Sequence, residues 1–241
     1  MNTPTVHHDD PCDESGALAG PYKIRLVPDD QAESPREEDC NIDVMVCWHR
    51  RSNLGDRQPN ENEHRALSSR KRGGRAPNFA VLERYLRRFH DVAIVLPLSL
   101  YEHSGMTMWC GNGTSAWDSQ GFDSGPVGFI YMTRTAMTEN FGTEPQAVKL
   151  WTKSPLLRGK AKLEEKILTP LERAERCLRS SVESYDQFLK GEIYGFIVED
   201  INGEHIDSCW GFYGDDPDEN GMSDHWDDAT KALYKQKGFQ E

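Results

Sequence analysis

Residues 185–200, YDQFLKGEIYGFIVED, set the fold class. The stretch reads as the end of a helix, a glycine stop at Gly191 and then a strand. Upstream, residues 160–190 carry Leu163, Ile167, Leu171, Ala174, Leu178, Val182, Tyr185 and Leu189 at steps of three and four, the stripe of an amphipathic helix. Pro170 is expected to divide or kink it, because proline has no N–H and crowds the preceding turn. Downstream, EIYGFIVED and HIDSCWGFYG flank Asn202-Gly203, a strong hairpin turn. Tyr194, Phe196 and Val198 face one way along the first of these strands, with Ile193, Gly195, Ile197 and Glu199 facing the other. Packing accounts for most of the stretch but not for Asp186 and Gln187, which can either hold the helix end or line a site.

Working outward, YKIRLV (22–27) and NIDVMVCW (41–48) read as strands, and 77–90 as a helix with Phe79, Leu82, Leu86 and Phe89 on its apolar face. The continuous apolar run 91–101 reads as a buried strand that Pro97 distorts or ends. VGFIYM (127–132) is a further strand, followed by a short helix that Thr133 or Thr135 can cap. The tail from 215 begins acidic and ends as a short helix. Helices and strands thus alternate irregularly. That pattern predicts an α+β fold, a mainly antiparallel sheet packed by one long amphipathic helix, with a C-terminal hairpin and a short terminal helix. One domain over 21–241 is expected, with a flexible tail at 1–20 and a long basic loop at 49–76.

The chain has 241 residues, 37% hydrophobic, with mean hydropathy −0.73 and a formal charge of −12. Such an acidic chain repels phosphate polymers and anionic lipid surfaces, so no direct nucleic-acid or membrane contact is expected. No apolar run is long enough for a membrane span and no signal-peptide pattern opens the sequence, which predicts a cytoplasmic protein. The six cysteines form no C-x-x-C pair and read as reduced thiols. Charge is unevenly spread. Residues 1–47 hold 11 acids against three Lys/Arg, 48–90 hold 11 Lys/Arg against four acids, and 199–228 hold 11 acids and no Lys/Arg.

Several groups can carry chemistry. His103, Asp123, Asp207 and Cys209 would supply a base, acids and a nucleophile for a small hydrolase-like enzyme, although no G-x-S-x-G accompanies them and loop Asp and Ser commonly serve only backbone groups. Arg70, Lys71, Arg72 and Arg75 precede a helix N-terminus and form an anion-binding candidate without a P-loop pattern. The histidines are scattered, and DDPDENGMSDHWDD misses the EF-hand spacing, so no metal or other cofactor is expected. Most aromatics read as core, whereas Trp109 and Trp117 fall in what reads as a loop and suit a protein interface. Glu37, Glu38, Asp39 and Asp43, with Asp215, Asp216, Asp218, Glu219, Asp224, Asp227 and Asp228, can present rows of carboxylate resembling a DNA groove. Ordinary solubility is the plainer account of such runs.

Five blocks, MVCWHRRSNLGD (45–56), LPLSLYEHSG (96–105), FDSGPVGFIYM (122–132), VESYDQFLKGEIYGFIVED (182–200) and DSCWGFYG (207–214), resemble in the same order a family of uncharacterised proteins carried by phages, plasmids and integrated elements. The resemblance covers most of 22–214. This chain departs from that pattern at Phe122, where the family usually has Trp, and at Pro126, where it often has Gln; 58–80 and 104–121 are also longer. The mobile-element setting implies an accessory, counter-defence role of the anti-CRISPR or antirestriction type. Joined to the charge pattern, it predicts a stoichiometric inhibitor that binds a basic host or defence protein complex, with a small cytoplasmic hydrolase-like enzyme using the His/Asp/Cys set as the alternative.

Overall fold

The computed structural model describes residues 22–37, 40–68, 77–115, 118, 120–153, 161–200 and 202–239. In chain order the first elements are β1 (Lys23–Pro28), β2 (Val44–Cys47), α1 (Glu61–Leu67), α2 (Phe79–Phe89), β3 (Val92–Glu102), β4 (Met106–Cys110) and β5 (Ser124–Thr133). They are followed by α3 (Arg134–Phe141), β6 (Gln146–Lys153), β7 (Ala161–Leu168), α4 (Pro170–Lys190), β8 (Ile193–Glu199), β9 (His205–Tyr213) and α5 (Asp228–Lys237). The fold is α+β, and every strand pairing between these elements is antiparallel. Contacts among the described residues gather into two compact units: a central one within Ser34–Leu189, and a terminal one formed by the described residues before Ser34 and after Leu189.

The central unit is built on a four-stranded sheet in the order β2-β5-β3-β4. Side-chain alternation gives it two apolar faces. Met45, Cys47, Leu98, Leu100, Ile130 and Met132 point to one side and pack against Ala174, Leu178, Val182 and Tyr185 of α4. Val46, Val95, Phe129 and Tyr131 point to the other, against Leu82 and Leu86 of α2. Each such aliphatic side chain contributes about 1.5–3 kcal/mol on burial. At Gly128 the β2 backbone comes so close that a Cβ would lie 2.0 Å from the Val46 carbonyl oxygen. The terminal unit is a three-stranded sheet, β1-β8-β9, whose Ile24, Phe196, Val198 and Phe212 pack on Met222, Trp226 and Leu233. As the alternation predicts, Phe196 and Val198 are core; the hairpin turns at Gly203, with φ +82°.

Three sequence expectations change. The helix begins at Pro170 instead of 160, and Leu163 and Ile167 lie on β7, paired with β6 and exposed. Proline fits the first helical turn because its missing N–H has no intrahelical partner there. Thr169 and Glu172 close a capping box across it: Glu172 Oε2 accepts from the Thr169 N–H at 2.8 Å, and Thr169 Oγ1 from the Glu172 N–H at 3.3 Å. The basic loop is interrupted by α1, started by Asn60 and Glu63 in the same reciprocal arrangement. Phe89 is 65% exposed at the end of α2, its ring tilted against Tyr85 at 4.6 Å instead of entering the core. Residues 1–20 lie outside the described residues.

Pro97 neither ends nor breaks β3. Gly111 N–H donates to the Pro97 carbonyl, but Pro97 has no N–H to return to the Gly111 carbonyl. Ser99 Oγ donates to that carbonyl instead, at 2.8 Å.

Candidate functional site

The residues proposed for catalysis divide two and two between the units. His103 lies exposed in the β3–β4 turn, and Asp123 lies beside it at the start of β5, where Glu102 N–H donates to the Asp123 carbonyl at 2.8 Å. Asp207 is exposed on β9, with its carboxylate accepting from the Ser208 N–H. Cys209 packs against the terminal core. Neither unit therefore holds a base, acid and nucleophile of this set. Two other thiols are poor nucleophiles: burial pushes Cys47 up to about 12 and Cys110 up to about 11. Among the described residues, no group of three or more His, Cys, Asp or Glu is placed to hold a metal ion.

The acidic set separates as well. Asp43 is a core residue, 4% exposed, and not part of a surface. It takes Arg36 Nη2 at 2.8 Å and Ser181 Oγ at 2.8 Å, and the same guanidinium holds Asp56 through Nε at 2.7 Å. Burial pushes the Asp43 carboxyl above the usual carboxylate range, against the pull of Arg36 and Ser181. A one-residue view of charge misses this, because the buried partner lies seven positions upstream. Glu37 is exposed; Glu38, Asp39, Trp117, Arg70, Lys71, Arg72 and Arg75 lie outside the described residues. Trp109 is half-buried on β4, paired with Ser99, and not in a loop.

The seven carboxylates of 215–228 behave differently. Asp215, Asp216, Asp218, Glu219, Asp224, Asp227 and Asp228 are all exposed, while Pro217, Met222 and Trp226 of the same stretch are buried. Trp226 stacks edge-on against Phe196 at 5.9 Å, so the segment is pinned to the sheet by its apolar members. Asp216 and Asp227 spend one oxygen each on local amides, those of Asp218 and Thr230. The remaining five carboxylates make no such bond among the described residues.

A second feature lies in the central unit. A cleft of about 310 Å³ is lined by Trp48 to Arg51, Glu102 and Phe122 to Val127. His49 Nδ1 accepts from the Ser52 N–H at 3.2 Å, which leaves the ring proton on Nε2, 3.3 Å from Glu102 Oε2. Arg51 reaches the same oxygen at 3.1 Å. Glu102 Oε1 has no partner among the described residues, and neither do the side chains of Arg50 and Asp123. The Phe122 loop is held by the buried carboxylate of Asp118, which accepts from the N–H groups of Phe122 and Asp123 and from Ser124 Oγ at 2.8–3.0 Å. Burial alone would raise the Asp118 pKa, yet these donors hold it below the usual carboxylate range. Phe122 itself is 86% exposed. Sequence reasoning found Asp123 and missed His49, Arg50 and Glu102. The available signal was that three of the five quoted blocks, 45–56, 96–105 and 122–132, converge on this cleft.

Comparison with family models, curated proteins and solved structures gives no match.

Proposed function

We propose that the chain is a mobile-element accessory protein that inhibits a nucleic-acid-targeting defence complex, of the anti-CRISPR or antirestriction type, by occupying its cationic nucleic-acid channel. The observation that carries this reading is the ledge at 215–228. Seven carboxylates are exposed there over 14 positions that contain no Lys or Arg, on a segment whose buried Met222 and Trp226 fix it to the sheet. Double-stranded DNA presents about one negative charge per 1.7 Å of axis, so exposed carboxylates gathered on one segment compete for the same Lys and Arg side chains. Long-range attraction between an acidic protein and a basic channel speeds encounter and weakens with salt. The resemblance to mobile-element proteins supports the same role. Glu37 adds one exposed carboxylate outside this segment.

The test uses the full chain and a variant carrying Asp215→Asn, Asp218→Asn, Glu219→Gln, Asp224→Asn and Asp228→Asn. Asp216 and Asp227 stay, because they hold local backbone. Purified restriction endonucleases and guide-RNA nuclease complexes cleave plasmid DNA with increasing protein at about 50 and 300 mM salt. Inhibition of at least one target that saturates near equimolar protein, weakens at high salt and disappears in the variant is the expected result. Undiminished cleavage for every target, or equal inhibition by the variant, overturns the proposal.

A further inference from the structure

The cleft beside β5 lies in the central unit and shares no residue with the acidic ledge, so its assignment stands apart from the inhibitor reading. The geometry points to a guanine mononucleotide as its ligand, with Phe122 stacking on the base, Asp123 accepting from the base edge, Glu102 taking a ribose hydroxyl and Arg50 holding the phosphate.

Four observations carry the assignment. First, the cleft's 310 Å³ falls at the small end of ligand sites, which run from about 300 to 1,000 Å³. Second, an aromatic ring 86% exposed is held out on a loop that the buried Asp118 fixes through two backbone N–H groups and the Ser124 hydroxyl. A presented ring of this kind suits a planar partner, since bases stack on aromatic side chains whatever their identity. Third, the cleft offers both signs of charge: Arg50 and Asp123 have no partner among the described residues. Arg50 and Arg51 together oppose a simple cationic ligand, and Asp123 opposes a bare anion. A ligand with an anionic end and a donor-rich end meets both conditions. Fourth, Glu102 is oriented through Oε2 by His49 and Arg51, leaving Oε1 as an acceptor for a hydroxyl.

The choice of base follows from carboxylate chemistry. An ionised Asp only accepts hydrogen bonds. Guanine presents N1–H and N2–H side by side, so both carboxylate oxygens are used. Adenine places an acceptor next to its donor, which faces a carboxylate oxygen unfavourably. The size of the cleft, about 310 Å³ and at the small end of ligand sites, favours a single nucleotide over a strand.

Isothermal titration calorimetry of the full chain with GMP, AMP, guanosine and a short guanine-containing oligonucleotide tests the assignment. GMP is expected to bind saturably at one site, and AMP at least about tenfold more weakly. Asp123→Asn removes that preference, Phe122→Ala weakens both nucleotides by about tenfold, and Arg50→Ala weakens GMP while sparing guanosine. All three positions are exposed, and circular dichroism spectra matching the parent protein check that each variant folds. No saturable heat with GMP, equal binding of GMP and AMP, or a preference that survives in Asp123→Asn overturns the assignment. An oligonucleotide that binds more tightly than GMP overturns it in favour of a strand.

Discussion

The carboxylate of Asp186, near the end of α4, accepts the backbone N–H of Met108 on β4 at 2.7 Å, across 78 positions of sequence. β4 is an edge strand of the central sheet, with Met108 2% exposed. An edge amide buried without an acceptor is costly, and the long helix supplies the acceptor. Asp186 is thereby a structural residue that ties α4 to the sheet it covers.

Replacing Asp186 with Ala leaves the Met108 amide without this acceptor. The expected cost is about 1–2 kcal/mol, read as a lower urea midpoint at an unchanged slope. A variant as stable as the parent protein removes the tie from the account of the fold.

Ser99→Ala tests the repair of β3. The Gly111 carbonyl loses the hydroxyl that stands in for the N–H Pro97 lacks. A loss of about 1–2 kcal/mol is expected. The double variant with Pro97→Ala, which restores the N–H, should recover part of it; thermal unfolding of the four proteins in the cycle gives the coupling directly. Strict additivity of the two changes counts against the repair.

Gly128→Ala places a methyl group 2.0 Å from the Val46 carbonyl oxygen, in the pairing of the edge strand β2 with β5. Neither strand can retreat without opening both apolar faces of the sheet. The expected destabilisation is about 3 kcal/mol or more, seen as poor soluble yield or a large fall in midpoint. Gly125→Ala, where a Cβ meets nothing within 4 Å, is the control and should be near neutral.

Glu63 makes stability sensitive to acid. Its side chain is fully buried and receives Arg57 at 2.6 and 2.9 Å, His90 Nε2 at 3.0 Å and the Asn60 amide at 2.8 Å. Burial alone would raise its pKa, but these donors hold it below the ordinary 4.5. A carboxyl whose folded value is lowered stabilises above its unfolded value, and the gain is lost as pH falls through the folded value. Glu63→Gln should therefore cost about 2–3 kcal/mol at neutral pH, and the gap to the parent protein should shrink below about pH 4.5. A gap of constant size across that range contradicts the role of the ionised group.

Local chemistry made much of this legible. Gly191 stops α4 and Gly203 turns the β8–β9 hairpin because both sit at positive φ, where glycine is favoured, and neighbouring residues suffice to signal that. Alternation along 193–199 placed Phe196 and Val198 in the core, and the spacing of Ala174, Leu178, Val182 and Tyr185 placed the long helix on a sheet.

Period alone failed where two readings fit the same residues. Leu163 and Ile167 continue the stripe of α4 in sequence, yet β7 finds cross-strand partners in β6, and Pro170 opens the helix behind a capping box. Charge alone failed at Asp43, which has the same composition as a surface acid until Arg36 and Ser181 close around it. The helix, the turns and the sheet's apolar patterning were determined by the sequence itself, because propensity and periodicity act over a few residues. Which carboxylate is buried, which strand pairs with which, and the meeting of Arg50, Glu102 and Asp123 at one cleft were decided only by tertiary structure. Those depend on contacts between positions tens of residues apart, whose energies no local window contains.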